Sequence, residues 1–423
     1  MAFPQSFMDE LVARSDIVDI VGSYVPLTAK GGSYWGCCPF HNEKTPSFHV
    51  LPDRQMYHCF GCKKGGSVIN FIMEEENLSF PEAVRFLAKR AGMEVPEEEG
   101  DREAGRRRQR LLDLNRDAAR FYYQLLQQPE GQAVQAYLDK RQIRKSTAVK
   151  FGMGASLDEW DVLLNAMTQK GYTKAELLSA GLVVQNKKGG LYDKFRNRLM
   201  LPVIDTRGDV VAFGSRVLDK SEPKYMNTPE TLTYSKRRIL YGMNLAKKSK
   251  RSNIILCEGN LDVVTLHQAG FDNAVASLGT ALTSGHASLL KRYTNEVYLT
   301  YDSDGAGVKA ALRAIPILKE VGITTKVINM RPYKDPDEFI QHEGCEAFEK
   351  RLEEAENSVL YEIRMKERDF DLADPQGKSD FLHEAVRRLV AIEDEIERNS
   401  YLEAVAGKYG IAVEVLRKQV GQM

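Results

Sequence analysis

The chain has 423 residues, a length that suggests two to four domains. Its hydrophobic content of 43% and charged content of 28% are ordinary for a globular protein, and its first residues lack the charged start and apolar stretch of a signal peptide. No segment approaches the roughly 18 apolar residues of a membrane span, so we expect a cytoplasmic protein without membrane contact. The formal net charge is +0, yet a local basic stripe suffices for nucleic-acid binding.

Residues 1–96 form a first unit in which helical and strand-like patterns are mixed. Apolar side chains from Phe7 to Val21 recur at helical spacing and predict one amphipathic helix. Short β-prone runs and two closing helical patterns follow, the runs at residues 33–35, 47–50 and 56–58 and the patterns at residues 68–73 and 81–91. A unit of this size is near the lower end for an independent domain.

The cysteines of this unit indicate a metal site. Four of the six cysteines lie between Cys37 and Cys62, and in a reducing compartment such a density favours metal binding over disulfides. Cys38 and His41 are separated by two residues, as are Cys59 and Cys62. Three thiolates and one imidazole complete the tetrahedral shell of one structural zinc ion and leave no position for catalysis. Cys37 could replace Cys38, but only Cys38 has the two-residue spacing to His41.

Aromatic and basic residues interleave around these ligands. The aromatic rings could stack on unpaired bases while the cations follow the phosphates, or the rings could fill the core of a small zinc domain. Both interpretations stay open for the aromatic set of Trp35, Phe48, Tyr57 and Phe60 and the basic set of Lys44, Arg54, Lys63 and Lys64.

A break in composition follows at residues 97–110, where acidic and basic runs with two glycines predict a flexible linker. Residues 111–250 then combine a helical pattern at 111–126 with strand-like runs at 199–204 and 210–213, which a hairpin turn would join. Basic clusters in this region are typical of either solvated helix faces or a nucleic-acid surface.

From residue 251 to residue 337, apolar strands alternate with helices. This alternation predicts a mainly parallel sheet with helices on its faces, so the fold class is α/β, or α+β when the whole chain is counted. Residues 338–423 are helical and charged throughout.

Acidic side chains follow three of the predicted strands, and the carboxyl ends of parallel strands line one crevice. One such pair alone is usually a turn or a helix cap, but three at successive strand ends would repel one another unless cations neutralise them. Carboxylate oxygens suit Mg²⁺ or Mn²⁺, and two or more such ions with a phosphate chain are what nucleotidyl transfer requires. The set comprises Glu258 with Asp262, Asp302 with Asp304, and Asp335 with Asp337.

The order of these motifs resembles that of the DnaG-type bacterial replicative primases over nearly the whole chain. Residues 38–48 and 57–62 look like the zinc-binding domain of that family, and residues 258–262, 302–304 and 335–337 look like its Toprim metal site. The resemblance implies a zinc-ribbon domain followed by a polymerase domain. The implied bounds are a zinc-binding domain at 1–96, a linker at 97–110, an N-terminal basic subdomain at 111–250, a Toprim subdomain at 251–337 and a C-terminal helical subdomain at 338–423.

The resemblance also implies roles for single residues. Glu258, Asp302 and Asp304 would be the chief metal ligands and the catalytic residues, with the other three carboxylates in support. Basic motifs would contact the substrates, namely Arg196, Arg198 and Arg216 the DNA, and Lys224, Tyr225, Asn227 and Lys236 the incoming nucleoside triphosphate. The implied partners are a single-stranded DNA template, nucleoside triphosphates and the RNA/DNA hybrid product, bound by a monomer at a bacterial replication fork. The zinc domain would bind the template and help to select the start site.

Two residues and the end of the chain depart from the family pattern. Asn260 stands where a tyrosine is common, and Ser215 stands where glycine is expected. Family members usually carry a further helical domain that docks the replicative helicase, and the chain ends at Met423, about where the polymerase domain should end. We therefore expect the docking domain to be missing.

The preferred hypothesis is a DNA primase, a DNA-dependent RNA polymerase and hence a nucleotidyltransferase, which makes short RNA primers on single-stranded DNA for replication. A Toprim nuclease or topoisomerase is the second hypothesis, because any of the 18 tyrosines could supply a nucleophile. A non-catalytic, zinc-dependent single-stranded DNA-binding protein is the third, but it leaves the acidic crevice unexplained.

Overall fold

The computed structural model describes residues 3–41, 43, 45–76, 78, 80–95, 99–302 and 305–422, and of residues 99–102 it describes the backbone only. The chain divides into two compact units, Met1–Arg107 and Arg108–Met423. In the described part of the chain, no helix is both long enough and apolar enough to cross a bilayer.

The first unit is built on a five-stranded antiparallel sheet with the strands in sequential order. Asp16 accepts hydrogen bonds from the amides of Val18 and Asp19 and so begins a second helix, which is why the predicted single amphipathic helix is two helices. In chain order the elements are α1 (Gln5–Arg14), α2 (Ile17–Gly22), β1 (Thr28–Lys30), β2 (Ser33–Gly36), β3 (Phe48–Leu51), a 3-10 turn (Pro52–Arg54), β4 (Met56–Cys59), β5 (Gly65–Ser67), α3 (Val68–Glu75) and α4 (Phe80–Arg90).

Strand register divides the side chains of this sheet between two faces. Phe48 pairs with Cys59 and Val50 pairs with Tyr57, and all four residues are buried. Phe71 of α3 packs against Tyr57 with ring centroids 5.6 Å apart, so the helices cover this face. The alternate residues of the same strands point to the opposite face.

A helix stands where the sequence predicts a linker. Glu97 and Glu98 lie outside the described residues, but α5 (Glu99–Gln127) includes residues 99–110, so the prediction of a flexible linker is wrong there. Arginine and glutamate, the most frequent residues of this segment, have high helix propensity. A helix also needs no apolar stripe where it does not cover a core. The division between the two units falls within α5.

The first half of the second unit surrounds a four-stranded antiparallel sheet. Its elements are a 3-10 turn (Pro129–Gly131), α6 (Gln132–Lys140), α7 (Lys145–Lys150), β6 (Gly154–Ser156), α8 (Val162–Gln169), α9 (Lys174–Ser179), β7 (Val183–Gln185), β8 (Leu191–Asp193), β9 (Arg198–Ile204), β10 (Val210–Val217), β11 (Tyr225–Asn227), β12 (Leu240–Tyr241) and α10 (Met243–Ala246). The sheet has the order β11-β10-β9-β6, and β7 pairs with β8. The predicted hairpin is confirmed, since β9 and β10 are adjacent and antiparallel.

A six-stranded sheet follows and confirms the predicted α/β arrangement. Its elements are β13 (Ile254–Cys257), α11 (Asn260–Gln268), β14 (Ala274–Ser277), α12 (Ser284–Lys291), β15 (Glu296–Thr300), α13 (Gly305–Glu320), β16 (Thr324–Val327), α14 (Pro336–Glu353) and β17 (Glu356–Asn357). The order is β12-β14-β13-β15-β16-β17, with four parallel inner strands and an antiparallel strand at each edge. Cys257 pairs with Thr300, so the carboxyl ends of β13 and β15 lie side by side.

Four further helices close the second unit and have a core of their own. They are α15 (Ser358–Glu367), α16 (Pro375–Val390), α17 (Glu395–Tyr409) and α18 (Val413–Val420). Asp374 and Asp394 cap α16 and α17 by accepting backbone hydrogen bonds. The buried residues of this helical core include Phe381, Leu389, Leu402, Val405 and Leu416.

Candidate zinc centre and active site

The predicted zinc ligands come together in the first unit. The ligand atoms of Cys38, His41, Cys59 and Cys62 all lie within 4.8 Å of one another. The Sγ atoms of Cys38 and Cys62 are 3.8 Å apart, as are Cys59 Sγ and His41 Nδ1. Zinc bonds of about 2.3 Å to sulfur and 2.0 Å to nitrogen separate tetrahedral ligands by roughly 3.5 to 3.8 Å. The four residues therefore fit a zinc ion.

Local backbone geometry holds these ligands in place. The amides of Phe40 and Cys62 donate to the thiols of Cys38 and Cys59, each at 3.4 Å, which makes two tight knuckles. A Cβ at Gly61 would lie only 2.5 Å from His41 Nε2, so a side chain at Gly61 would displace the imidazole.

Glu43 supports the zinc centre and was missed by the sequence argument. One oxygen of its carboxylate accepts from the amides of Cys38 (2.6 Å) and Ser47 (3.2 Å). The other accepts from the Ser47 hydroxyl and lies 3.3 Å from His41 Nε2, the nitrogen that does not face the thiols. Desolvation opposes ionisation of Glu43, but the hydrogen bonds from Ser47 and Cys38 outweigh it and lower the pKa of this carboxyl. The signal in the sequence was a carboxylate two residues after the histidine ligand.

The core interpretation is confirmed for two residues of the aromatic set, and base stacking by the other two stays a prediction. Phe48 and Tyr57 are buried and belong to the core. Trp35, His49 and Phe60 lie on the opposite face, with Trp35 stacked on His49 at 4.2 Å and parallel to Phe60 at 5.9 Å within 12°. Phe60 is 52% exposed. This aromatic face, defined by Trp35, His49 and Phe60, is available for stacking with bases.

The second unit brings the predicted carboxylates to one edge of the six-stranded sheet. Glu258 directly follows β13 and Asp302 follows β15, and the amide of Asp302 lies 3.4 Å from Glu258 Oε2. Asp262, in the first turn of α11, accepts from the amide of Gly259 at 3.0 Å. Asp335 caps α14 by accepting from the amide of Glu338 at 2.8 Å. We call Glu258, Asp262, Asp302 and Asp335 the acidic crevice.

Three carboxylates, Asp302, Asp335 and Asp337, lie close enough to Asp262 to affect its pKa. Burial raises the pKa of Asp262 well above its ordinary value, and Asp335, Asp337 and Asp302 raise it further. Burial also raises the pKa of Asp335, with Asp337 and Asp302 adding to the shift. Uncompensated negative charge with oxygen ligands is what a bound divalent cation would relieve, so the residues fit such an ion. Asp304, a predicted ligand, lies outside the described residues.

The acidic crevice is wider than the zinc centre. Within the described ranges, the Cys/His set is the only group of three or more metal-ligating side chains whose ligand atoms all lie within 4.8 Å. The described carboxylates of the acidic crevice are therefore not all within 4.8 Å of one another.

Asp337 is placed beside the crevice but its oxygens are already occupied. Arg141 Nη1 donates to Oδ2 at 2.6 Å, and Thr265 Oγ1 and Gln341 Nε2 donate to Oδ1 at 2.6 and 2.9 Å. The side chain is only 9% exposed. These contacts favour a supporting role that fixes Arg141 and α11, and they leave little capacity for metal binding.

Cations face the acidic crevice from two directions. The pKa of Lys224 is lowered by Arg216 first, then by desolvation, Lys334 and Arg141, while Asp335 opposes the shift. Lys334 Nζ lies 3.2 Å from Asp302 Oδ2, and the guanidinium of Arg216 lies 4.7 Å from the Tyr225 ring. Lys224 and Arg216 both lie near the Tyr225 ring, and the nucleotide and DNA contacts predicted for these residues stay predictions.

The other predicted nucleotide contacts are placed near this cluster or its sheet. Asn227 donates to the carbonyl of Leu278 at 3.2 Å. A Cβ at Gly214 would lie 2.8 Å from Asn260 and 3.0 Å from Asn227, so glycine lets both amides approach the strand. Burial lowers the pKa of Lys194, and the positive charge of nearby Lys236 lowers it further.

The two arginines of the predicted DNA motif have different surroundings. The guanidinium of Arg196 stacks on Trp160 at 3.9 Å and lies 5.2 Å from Tyr192, and Trp160 is 63% exposed. Arg198 is buried and donates to the carbonyl of Pro223 at 2.9 Å, so it supports the chain next to Lys224 instead of lining a surface. Trp160 was missed because a single tryptophan before a helix carries no spacing signal.

Comparison with known families places four matches in order along the chain. The CHC2 zinc finger model matches residues 3–103, and the N-terminal domain of the DNA primase catalytic core matches residues 121–247. A Toprim-like model matches residues 255–340, and the DnaB-helicase binding domain of primase matches residues 361–414.

Curated relatives and solved structures agree with these matches. The DNA primase of Clostridium acetobutylicum is 42% identical over 405 residues, which cover 95% of this chain and 67% of that protein. The DNA primase of Escherichia coli K12 is 38% identical over 419 residues, covering 96% of this chain and 72% of that protein. The crystal structure of the Aquifex aeolicus primase zinc-binding and RNA polymerase domains has a TM-score of 0.61 at 30% identity and covers 98% of this chain and 99% of that chain. A DnaG primase catalytic domain bound to ssDNA has a TM-score of 0.65 at 35% identity, covering 73% and 98%.

The helicase-binding match overturns one prediction. We expected the docking domain to be missing, but the match covers residues 361–414, which include most of α15, all of α16 and α17 and the start of α18. The error arose because amphipathic helices of a polymerase subdomain and of a docking domain have the same periodicity, so hydropathy alone could not separate them.

Proposed function

This chain belongs to the DnaG-type family of DNA primases, and on that premise we propose that its acidic crevice catalyses the template-directed nucleotidyl transfer by which short RNA primers are made. The observation that carries the proposal is the convergence of Asp262, Asp302 and Asp335 beside the cations around Lys224. Negative charge that binds divalent cations, next to positive charge that binds phosphates, is the combination that phosphoryl transfer needs.

In the proposed reaction, a 3′-hydroxyl oxygen forms a bond to the α-phosphorus of the incoming nucleoside triphosphate. The bond from that phosphorus to the bridging oxygen breaks and pyrophosphate leaves, while the proton of the 3′-hydroxyl passes to solvent. Divalent cations, Mg²⁺ or Mn²⁺, would supply activation of the hydroxyl and neutralisation of the leaving group when bound. Glu258, Asp302 and Asp304 are the proposed chief ligands, with Asp262 and Asp335 in support.

The cationic residues would hold the triphosphate in this arrangement. Lys224 and Arg216 provide separate positive charges on one strand pair, since Tyr225 on β11 pairs with Arg216 on β10. The Tyr225 ring, which is 41% exposed beside Arg216, could stack on a base or ribose. Asn227 and Lys236 complete the set of residues proposed to contact the nucleotide. Asp337 positions Arg141 beside them through an ion pair.

Template contacts are proposed at two aromatic surfaces. In the second unit, exposed Trp160 with Arg196 offers a ring and a guanidinium to unpaired bases and phosphates. In the first unit, the aromatic face of Trp35, His49 and Phe60 would bind the template near the start site. The structural relative bound to single-stranded DNA supports template binding by a catalytic domain of this kind.

Helicase docking is proposed for residues 361–414. The family match is the support for this assignment, and Ile396 on α17 is an apolar side chain that is 81% exposed there. The organisms of the relatives support action in the bacterial cytoplasm at the replication fork.

A primer-synthesis assay tests the proposed function. The full chain, loaded with zinc, is incubated with short single-stranded templates and labelled nucleoside triphosphates, with and without Mg²⁺. We expect metal-dependent RNA products from the wild type and none from Asp302→Ala. Asp369→Ala, an exposed carboxylate at the end of α15, is the matched control and should retain synthesis.

Parallel incubation with supercoiled plasmid separates the rival functions. Plasmid relaxation or cleavage without RNA synthesis would support a nuclease or topoisomerase. Template binding that needs neither Mg²⁺ nor Asp302, without RNA products, would support a non-catalytic binding protein.

A further inference from the structure

A cleft of about 130 Å³ opens between the six-stranded sheet and α15. One wall is the segment after β16, ending at Arg331, and the other is α15 with Arg364 and the adjoining Arg368. Tyr361 and Met365 also line it and are buried. We call it the arginine cleft, after Arg331, Arg364 and Arg368.

The three guanidiniums act on one place. All three arginines line the cleft together with Tyr361. Burial raises the pKa of Tyr361, the charges of the three arginines oppose that shift, and Glu356 adds to it. Arg364 is neutralised, because its Nε and Nη2 atoms each lie 2.8 Å from Glu356 Oε2. For Arg331 and Arg368, no carboxylate in the described part of the chain forms an ion pair with the guanidinium.

The carboxylate that lines the cleft is itself paired. Asp302, which lines the cleft, has its Oδ2 atom 3.2 Å from Lys334 Nζ. Among the residues that the structure describes, the cleft therefore presents two arginines without an ion pair and one carboxylate whose charge a lysine offsets. Guanidinium groups match the oxygen spacing of phosphate and bind it through two parallel hydrogen bonds. The charge pattern favours an anion with more than one phosphate group.

The size of the cleft favours a small anion. Pockets that hold drug-sized ligands have volumes of roughly 300–1,000 Å³, and this cleft is smaller. A nucleic-acid strand also needs exposed stacking surfaces, whereas Tyr361 is buried.

We propose that the arginine cleft binds inorganic pyrophosphate, held between Arg331 and Arg368. This inference rests on the proposed function, because the acidic crevice shares Asp302 with the cleft and nucleotidyl transfer would release pyrophosphate there. The cleft is then the site through which the product leaves, and pyrophosphate bound in it slows the next cycle.

Direct binding of pyrophosphate tests the cleft without relying on catalysis. The full, zinc-loaded chain is titrated calorimetrically with inorganic pyrophosphate in buffer without added divalent metal. We expect the dissociation constant to rise at least tenfold in the double variant Arg331→Gln/Arg368→Gln. Arg387→Gln, an exposed arginine on α16, is the matched control and should change it less than twofold. Both cleft arginines are exposed, so the thermal unfolding midpoint should not move.

Two results would overturn the inference. One is an unchanged dissociation constant in the double variant, or an equal loss in Arg387→Gln. The other is a loss of ATP affinity as large as the loss for pyrophosphate, which would assign the cleft to the nucleotide and not to the released product. If the chain makes no RNA at all, the proposed function fails, but the titration still reports on the cleft. Where RNA is made, the double variant should resist inhibition by added pyrophosphate.

Discussion

The zinc centre and the acidic crevice are two metal sites with opposite construction. At the zinc centre, the Sγ atoms of Cys38 and Cys62 lie 3.8 Å apart, and the carboxylate of Glu43 lies 3.3 Å from Nε2 of His41. In the acidic crevice, burial raises the pKa of both Asp262 and Asp335, and the nearby charges of Asp302 and Asp337 raise both further. The first site is closed by its own side chains, and the second is incomplete without cations.

This difference assigns different work to the two ions. A closed shell of four protein ligands stabilises a small fold and has no position for a substrate. An open group of hard oxygen ligands leaves coordination positions for phosphate and hydroxyl oxygens. Removal of metal should therefore unfold one unit and only inactivate the other.

Loss of a zinc ligand should have the largest effect. Cys59→Ser should abolish zinc binding, which in zinc-dependent folds contributes on the order of 10 kcal/mol, and the first unit should lose its cooperative unfolding transition. The transition of the second unit should persist. Calorimetry and zinc analysis of the full chain measure both effects, and Cys345→Ser, an exposed cysteine outside the site, is the control. A normal first transition in zinc-free Cys59→Ser would show that the ion is dispensable for folding.

Removal of Arg141 should have the next largest effect, on the acidic side. Arg141→Gln leaves the nearly buried Asp337 carboxylate without its ion pair at 2.6 Å. Breaking such a pair costs 3–5 kcal/mol when both partners are buried, and because Arg141 is partly exposed we expect about 3 kcal/mol. Urea unfolding of the second unit measures it. Arg120→Gln, whose partner Asp117 lies 3.6 Å away on the surface, should cost far less. An equal loss in the free energy of unfolding in the two variants would contradict the supporting role of the pair formed by Arg141 and Asp337.

Acid should weaken the second unit through His267 on α11. Desolvation lowers the pKa of His267 to about 4 from the ordinary 6.5. The unfolded chain takes up this proton below about pH 6.5, whereas the folded chain excludes it until about pH 4. Stability from the neutral ring is therefore complete above pH 6.5 and is lost as the pH falls towards 4, by about 2 kcal/mol between pH 7 and 4.5. Urea unfolding at both pH values should show that His267→Gln loses less stability than the wild type, and equal losses would exclude His267 as the cause.

Removal of the carboxylate behind the zinc centre should have the smallest effect. Glu43→Gln keeps the shape but loses the charge that orients His41, and changes of this kind weaken metal affinity roughly tenfold or more. Competition with a chromophoric chelator measures zinc affinity. Asp53→Asn, in the same unit but away from the ligands, is the control and should bind zinc like the wild type. Unchanged zinc affinity in Glu43→Gln would mean that the hydrogen bonds of Glu43 stabilise only the loop between Cys38 and Ser47 and do not orient His41.

The sequence predicted what depends on local spacing. Cys38 and Cys59 were identified because each has a second ligand three positions further along the chain. Glu258 and Asp302 were identified because each follows an apolar strand. The sequence could not show that Phe48 is a core residue and that Trp35 lies on the opposite face. Successive residues of a strand point to opposite faces, so the assignment needs the strand register.

Features that depend on distant contacts were missed or misjudged. Arg198 was predicted to contact DNA, but its side chain is buried and its guanidinium donates to the carbonyl of Pro223. The acidic and basic run after residue 98 was expected to be irregular, whereas high propensity is enough for helix α5. The docking domain was judged absent because the chain ends at Met423, and its match at residues 361–414 shows that these helices had been assigned to the polymerase domain in error. Asp304, a predicted ligand, keeps its assignment as a proposal.

Direct titration with Mn²⁺ tests the central claim that separate strands unite their carboxylates into one cation site. Bound Mn²⁺ is counted by electron paramagnetic resonance in the full, zinc-loaded chain and in Glu258→Gln, Asp302→Asn and the control Asp369→Asn. We predict that the wild type and the control bind Mn²⁺ and that either crevice variant weakens binding at least tenfold without moving the thermal unfolding midpoint. Equal Mn²⁺ binding in all four proteins would contradict the claim.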